Sequence, residues 1–341
     1  MTLIAVAAAL AGCGGGGGAS GNGSGSHTSG ETGAGNPAAP VAGDYTTYKR
    51  IITNVEGPTG IATGVVFYET EAVDKVLAGG AFVAAEVEQR TNRSDKHFDA
   101  NGGLFQSGVG RCQYTHAPAL FTDLPRSGQA GMNWNISSTT TLIDPAQAFY
   151  CGGGGEKYSG SIVSYATEPV TVGIGSFNAL KFQAKYTQEV GQYLRATERT
   201  CWMDTAMRIN VKCQVIESES YAGKLNFKVT IEYELVGYAK AGAKRRVDSL
   251  YRFEGRWTAP YTAAGGAAET CTISVAKDGA VEGNCGGAVS GNVAVDGAIS
   301  FKPAAGKPGL TFTGKLETPL GGSGSYTMPG ASGGTLALSR H

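Results

Sequence analysis

From about residue 60 onward, hydrophobic and polar positions alternate with a period of two, the signature of strands with one dry and one wet face. The run Leu225-Asn-Phe-Lys-Val-Thr-Ile-Glu-Tyr-Glu-Leu235 puts an apolar residue at every odd position and a polar one at every even position. At ~3.3 Å per residue it predicts a strand of ~36 Å. Leu180, Phe182, Ala184 and Tyr186 alternate with Lys181, Gln183, Lys185 and Thr187 in the same way. Ile209, Val211, Cys213 and Val215 repeat the pattern, as do Val247, Tyr251, Phe253 and Trp257. Long half-dry strands joined by polar turns predict an antiparallel meander, because a buried parallel sheet would read as continuous apolar runs. The expected fold class is mainly β. An antiparallel curved sheet or half-barrel domain buries its dry faces against one another, and a small C-terminal β-meander, barrel or sandwich, follows it.

The pattern is less regular in four places. Glu69–Arg90 has helical composition, but Gly79-Gly80 interrupts it, and each glycine costs a helix ~1 kcal/mol relative to alanine. It reads as two strands around a Gly-Gly turn. Residues 92–165, with several prolines and the run Gly152 to Gly155, read as irregular loops laid on the sheet. Residues 259–268 return to small side chains and read as a linker. Beyond it, Asp278-Gly279 and Asp296-Gly297 sit between alternating segments, a strong hairpin signal. Five to seven short strands are expected there.

The N-terminus carries an address. Residues 3–12 form an apolar segment, too short for a bilayer core that needs roughly 20 helical residues but suited to the apolar region of a secretory signal. Leu10-Ala11-Gly12-Cys13 resembles the lipobox of bacterial lipoproteins. The resemblance implies that the Cys13 sulfur takes a diacylglycerol, that the chain is cut before it, and that the new N-terminus is acylated. Gly14, where Asp would retain a lipoprotein at the inner membrane, implies the outer membrane, on its periplasmic or its outer side. Only Met1 and Thr2 precede the apolar run, so the basic start of the signal is either missing or encoded further upstream. Residues 13–43 are dominated by glycine and small polar residues, which cannot bury enough apolar surface to offset their ordering entropy. They read as a disordered tether; a coil of that length spans roughly 30 Å.

Cysteine usage agrees with an exported chain. Seven cysteines leave six once Cys13 is assigned to lipid, and six admit fifteen pairings. Proximity along the chain favours Cys112 with Cys151, Cys201 with Cys213, and Cys271 with Cys285. There is no C-x-x-C pair, and two of the four histidines, His27 and His341, lie in the tether and at the C-terminus, so no metal site and no cofactor are expected. Lys plus Arg and Asp plus Glu are equal at 28 each, which gives no electrostatic reason to expect nucleic acid or an anionic surface as partner. Lys244-Arg245-Arg246 reads as a solvated hairpin turn.

Candidate chemistry is sparse. Gly330-Ala-Ser-Gly-Gly334 spells G-x-S-x-G, but that motif acts on a strand–elbow–helix and here lies in a glycine-rich β turn. His116 is a conceivable general base with no nucleophile assigned to it. Asp99-Ala-Asn-Gly102 begins like a calcium loop, but position twelve is Gly110, not Glu, so it reads as a turn.

A second resemblance covers residues 125–240. Gln129-Ala-Gly-Met-Asn-Trp134, Glu168-Pro-Val-Thr-Val-Gly-Ile-Gly-Ser-Phe-Asn-Ala-Leu-Lys181, Thr200-Cys-Trp202, Ile209-Asn-Val-Lys212 and Tyr233-Glu-Leu235 are similar to uncharacterised bacterial envelope domains. Those domains have a half-open β-barrel akin to periplasmic carriers of lipoproteins or lipids. The resemblance implies a recurring hairpin in which Gly175 permits the bend and Phe177 packs inside, with no catalytic residues. Gly173-Ile174 stands where such domains usually have Pro-Ala. The organisation expected is a signal peptide (1–12), tether (13–43), β domain (44–258), linker (259–268) and β-meander (269–341). The function expected is a lipid-anchored, non-catalytic structural or interaction module of the envelope. Its partners would be the membrane through Cys13 and an envelope protein; the alternative is a carrier of an apolar ligand.

Overall fold

The computed structural model describes residues 39–88, 93–151, 154–262, 266–304 and 309–340. The signal peptide, Cys13 and nearly all of the tether lie outside the described residues.

Thirteen strands make the first sheet: β1 (Tyr45–Glu56), β2 (Val66–Val76), β3 (Phe82–Glu88), β4 (Ser94–Phe98), β5 (Leu104–Val109), β6 (Cys112–Leu120), β7 (Asn133–Leu142), β8 (Lys157–Val172), β9 (Gly175–Val190), β10 (Tyr193–Asp204), β11 (Ile209–Tyr221), β12 (Lys224–Lys240) and β13 (Arg245–Val247). Each pairs antiparallel with its sequence neighbours, and β1 also pairs with β12, from Tyr45 opposite Ala239 to Glu56 opposite Lys228. The curved sheet expected from the alternation thus goes past half-closure: β1 to β12 form a closed up-and-down barrel, and no edge is left open between them. Residues 69–88 form the β2–β3 hairpin around Gly79 and Gly80, both at positive φ.

Residues 92–165 are not loops. They supply β4 to β7 and the start of β8. Their alternation is hidden because polar residues point inward; on β7, Ile136, Ser138, Thr140 and Leu142 are buried while their neighbours are exposed. The inward hydroxyls find partners, as when Ser138 donates to the Pro118 carbonyl at 2.6 Å, so this face folds without an apolar pattern.

The second sheet is a closed eight-stranded barrel of β14 (Gly255–Thr262), β15 (Ala268–Val275), β16 (Ala280–Asn284), β17 (Ala288–Val293), β18 (Ala298–Pro303), β19 (Thr311–Lys315), β20 (Gly321–Met328) and β21 (Ala331–Arg340). The expected linker 259–268 is corrected by this arrangement: residues 259–262 belong to β14, with Ala259 and Tyr261 facing the core, and Ala268 opens β15. The junction is instead residues 248–254, where Arg252 donates to the Val295 carbonyl at 2.8 Å and pairs with Asp248 at 3.0 Å. Asp248 in turn accepts from the Tyr45 hydroxyl at 2.9 Å. Asp278-Gly279 and Asp296-Gly297 form the tight hairpins their sequence predicts, each glycine at positive φ and each Asp accepting an amide two residues on.

Candidate functional site at the mouth of the first barrel

A twelve-stranded barrel is wider than the eight-stranded size that side chains just fill. Here the lumen is occupied by large side chains and by an inserted loop. Phe82, Phe98, Phe182, Tyr48, Tyr186, Tyr233 and Met203 belong to one buried cluster. At one end, residues 121–128 between β6 and β7 enter the barrel. Asp123 accepts from Arg199 at 3.3 Å and from Asn210 at 3.1 Å, and Arg208 donates to the carbonyls of Leu124, at 2.8 Å, and Pro125. This end is plugged.

Charges line the wall formed by β1 to β4. The register sets Glu69 opposite Glu88, Glu71 opposite Glu86, and Ala84 opposite Lys96, so these side chains share a face. Arg50 pairs with Glu69 and Glu88 and lies between the rings of Phe67 and Tyr233, at 4.4 and 4.7 Å. Lys96 pairs with Glu86, and with Glu71 at 3.8 Å. Burial pushes the Glu86 carboxyl up to about 7, against the pull of Lys96. The sequence reading missed this network. Its trace is the pair of alternating carboxylates Glu69-Thr-Glu71 and Glu86-Val-Glu88 flanking a predicted hairpin, which pairing must bring face to face.

His116, the candidate base, lies on β6 facing the lumen, buried, with its Nε2 at 2.9 Å from Ser107 Oγ and its ring edge-on to Tyr158. Burial lowers its pKa to about 4, and Nδ1 has no hydrogen-bond partner. The Ser107–His116 pair therefore lacks the carboxylate that orients a catalytic imidazole. Asp99 spends its carboxylate on its own turn, accepting from the amides of Asn101 and Gly103 at 2.8 Å each. The G-x-S-x-G segment lies at the β20–β21 hairpin turn. Lys244-Arg245-Arg246 forms the turn and first residues of the β12–β13 hairpin. Cys112 is bonded to Cys151, Cys201 to Cys213 and Cys271 to Cys285. The first bond joins the start of β6 to the short helix α1 (Ala148–Cys151) between β7 and β8.

The β8–β9 hairpin extends beyond the barrel wall and folds against its outside. The Gly173 amide donates to Glu234 on β12 at 2.7 Å, and Trp202 donates to Glu168. Gly175 is at φ +141° and Phe177 is buried, the geometry expected of that hairpin. The outward face of β9 to β12 carries Lys181, Lys185, Glu198, Lys212, Glu232 and Glu234, with Lys185 and Glu198 paired at 2.8 Å. This is the reverse of the apolar band of a membrane-spanning barrel.

The opposite mouth is different. The turns β1–β2, β5–β6, β7–β8, β9–β10 and β11–β12 all lie at this end and expose apolar side chains: Val65, Val109, Phe149, Tyr150, Tyr193 and Tyr221. Phe149 is 91% exposed and Tyr150 63%, with the Arg111 guanidinium 4.0 Å from the Tyr150 ring. Eleven of the sixteen large apolar side chains left exposed among the described residues lie at this rim, so exposure is concentrated there rather than scattered. The Cys112–Cys151 bond crosses it, fixing α1 and Phe149 to the neighbouring turn. No helix among the described residues is long and apolar enough to cross a membrane.

No protein-family profile matches the chain, and no curated protein does. Among solved structures it is similar to the crystal structure of the hypothetical lipoprotein YmcC from Escherichia coli (K12). The identity is 9% and the TM-score 0.30, with 56% of this chain and 83% of that one covered.

Proposed function

We propose that the protein is a lipid-anchored component of the bacterial cell envelope, held through acylated Cys13, that works as a non-catalytic interaction module. The observation that carries the reading is the concentration of exposed apolar side chains at one mouth of an otherwise polar-walled barrel. Exposed apolar patches mark binding surfaces, and this one is rigidly presented by strand ends and a disulfide. The lipobox resemblance and the three disulfides support an exported, oxidising location. The carrier alternative needs space for an acyl chain, and the lumen positions that would line it are packed against one another. As a base, His116 is poorly matched to neutral pH, since the ideal catalytic pKa lies near the working pH.

The test is the mass of the N-terminal peptide of the native protein. It should begin at Cys13 and carry diacylglyceryl and acyl groups, and Cys13→Ala should abolish both. A native Cys13 without lipid would overturn the anchored reading.

A further inference from the structure

We infer that the rim of the first barrel contacts a lipid bilayer, so that the protein stands mouth-down on the membrane to which it is tethered; this rests on the envelope-anchored reading. Three observations favour a bilayer over a protein as occupant.

The first is the arrangement of the rim. Protein-docking sites gather their anchors near the centre of a packed interface. Here the exposed residues sit on separate turns around a ring, with Val109, Phe149 and Tyr150 on one side and Tyr193 and Tyr221 on another. A flat fluid surface accepts such separated side chains one by one.

The second is residue type. Phenylalanine and aliphatic side chains supply apolar insertion, while Tyr150, Tyr193 and Tyr221 combine a ring with a hydroxyl, which suits the headgroup level. Arg111 stacks on Tyr150 and places a cation in the same layer. Higher up the wall, ion pairs such as Lys185 with Glu198, at 2.8 Å, face water.

The third is the tether. β1 begins at Tyr45 at the plugged end, so the chain leaves the barrel at the end opposite the rim. The wall is about 30 Å tall, from twelve residues of β1 at ~3.3 Å each and a strand tilt of roughly 40°. Thirty residues separate Cys13 from Asp44, and a coil of that length has a root-mean-square span of roughly 30 Å. Local concentration is greatest when a linker's span matches the distance it must bridge. The chain between Cys13 and Asp44 is thus long enough for the lipid to reach the plane of the mouth.

The experiment uses the full-length lipidated protein in phosphatidylethanolamine–phosphatidylglycerol vesicles whose acyl chains carry bromine, a short-range quencher of tryptophan. Phe149→Trp places the probe on the rim, and Val295→Trp, on the second barrel, is the control; both sites are exposed, so neither change threatens folding. With the three native tryptophans subtracted, Phe149→Trp emission should fall roughly twofold or more, as expected for insertion to ~5–10 Å, while Val295→Trp should not change. Equal quenching of the two, or quenching of neither, overturns the inference. So does loss of a cross-linked envelope protein from Phe149→Ser with Tyr150→Ser when the bilayer signal is absent. The N-terminal mass, read on the same preparation, separates the two claims. Lipidated Cys13 with an unquenched rim rejects the bilayer contact alone. Unmodified Cys13 rejects the anchor alone, and vesicles added to that unlipidated protein decide the rim by the same quenching.

Discussion

Asp123 and Arg199 meet at 3.3 Å inside the first barrel, although 76 residues separate them in sequence. Asp123 lies in the inserted loop and Arg199 on β10, so the pair fastens the plug to the wall. Both side chains are almost wholly buried. Removing one partner of a buried pair leaves the other charge uncompensated, which costs about 3–5 kcal/mol. Asp123→Ala should shift the urea midpoint accordingly, and adding Arg199→Met should restore most of the loss. A double variant no more stable than Asp123→Ala would show that the plug depends on Asp123 for other reasons, its bond to Asn210 first among them.

Arg340, the last described residue of β21, closes the base of the second barrel by donating to the carbonyls of Arg252, Glu254 and Pro319. Its guanidinium carbon lies 5.9 Å from the ring of fully buried Trp257. Arg340→Met keeps the apolar stem and orphans those carbonyls, at about 1–3 kcal/mol each where no water reaches them. The unfolding transition followed by near-ultraviolet signals of Trp257 should move to lower denaturant, and an unmoved midpoint would refute the base-closing role.

Acid sensitivity should carry a His116 component. Burial lowers its folded pKa to about 4, below the ordinary 6.5. The unfolded chain therefore binds an extra proton between those values, and stability falls as pH drops from 6.5 towards 4. The full component is about 3 kcal/mol. His116→Gln keeps a hydrogen-bonding group near Ser107 and should flatten the melting-temperature profile over that window relative to wild type. Parallel profiles would refute the His116 component.

The Cys201–Cys213 bond joins directly opposed residues of β10 and β11, both buried. Replacing both by alanine should cost about 3 kcal/mol, the chain-entropy value for a loop of this size. Because the strands pair over their whole length, far-ultraviolet circular dichroism should be unchanged, and collapse of the β signal would disprove that independence.

Legibility followed where the side chains point. β9, β11 and β12 alternate between interior and exterior, so their pattern was plain in the sequence, and so were the Asp-Gly hairpins and the glycine-interrupted hairpin of β2 and β3. β4 to β7 were read as loops because their inward residues include Lys96, Ser107, His116, Ser138 and Thr140, whose burial is stabilised by partners rather than by apolarity. The linker was misplaced for the reverse reason. Alanine and glycine at 259–268 look like a spacer, but residues 259–262 continue the alternation of β14, with Trp257, Ala259 and Tyr261 inward, and Ala268 opens the strand paired with it.

The sequence by itself determined a mainly β, antiparallel chain with six cysteines that pair by proximity. Those features are local: a period of two, a turn residue and a short loop between thiols need no knowledge of the rest of the chain. Tertiary structure alone decided that β1 meets β12, that residues 121–128 fill the lumen, that four glutamates face Arg50 and Lys96, and that apolar turn residues gather at one mouth. Ring closure brings residues far apart in sequence onto one wall or one rim, and the charged network forms within it from the successive pairings of β1 to β4. No local pattern encodes that closure, because its free energy arises from pairings formed only when the whole sheet has curved.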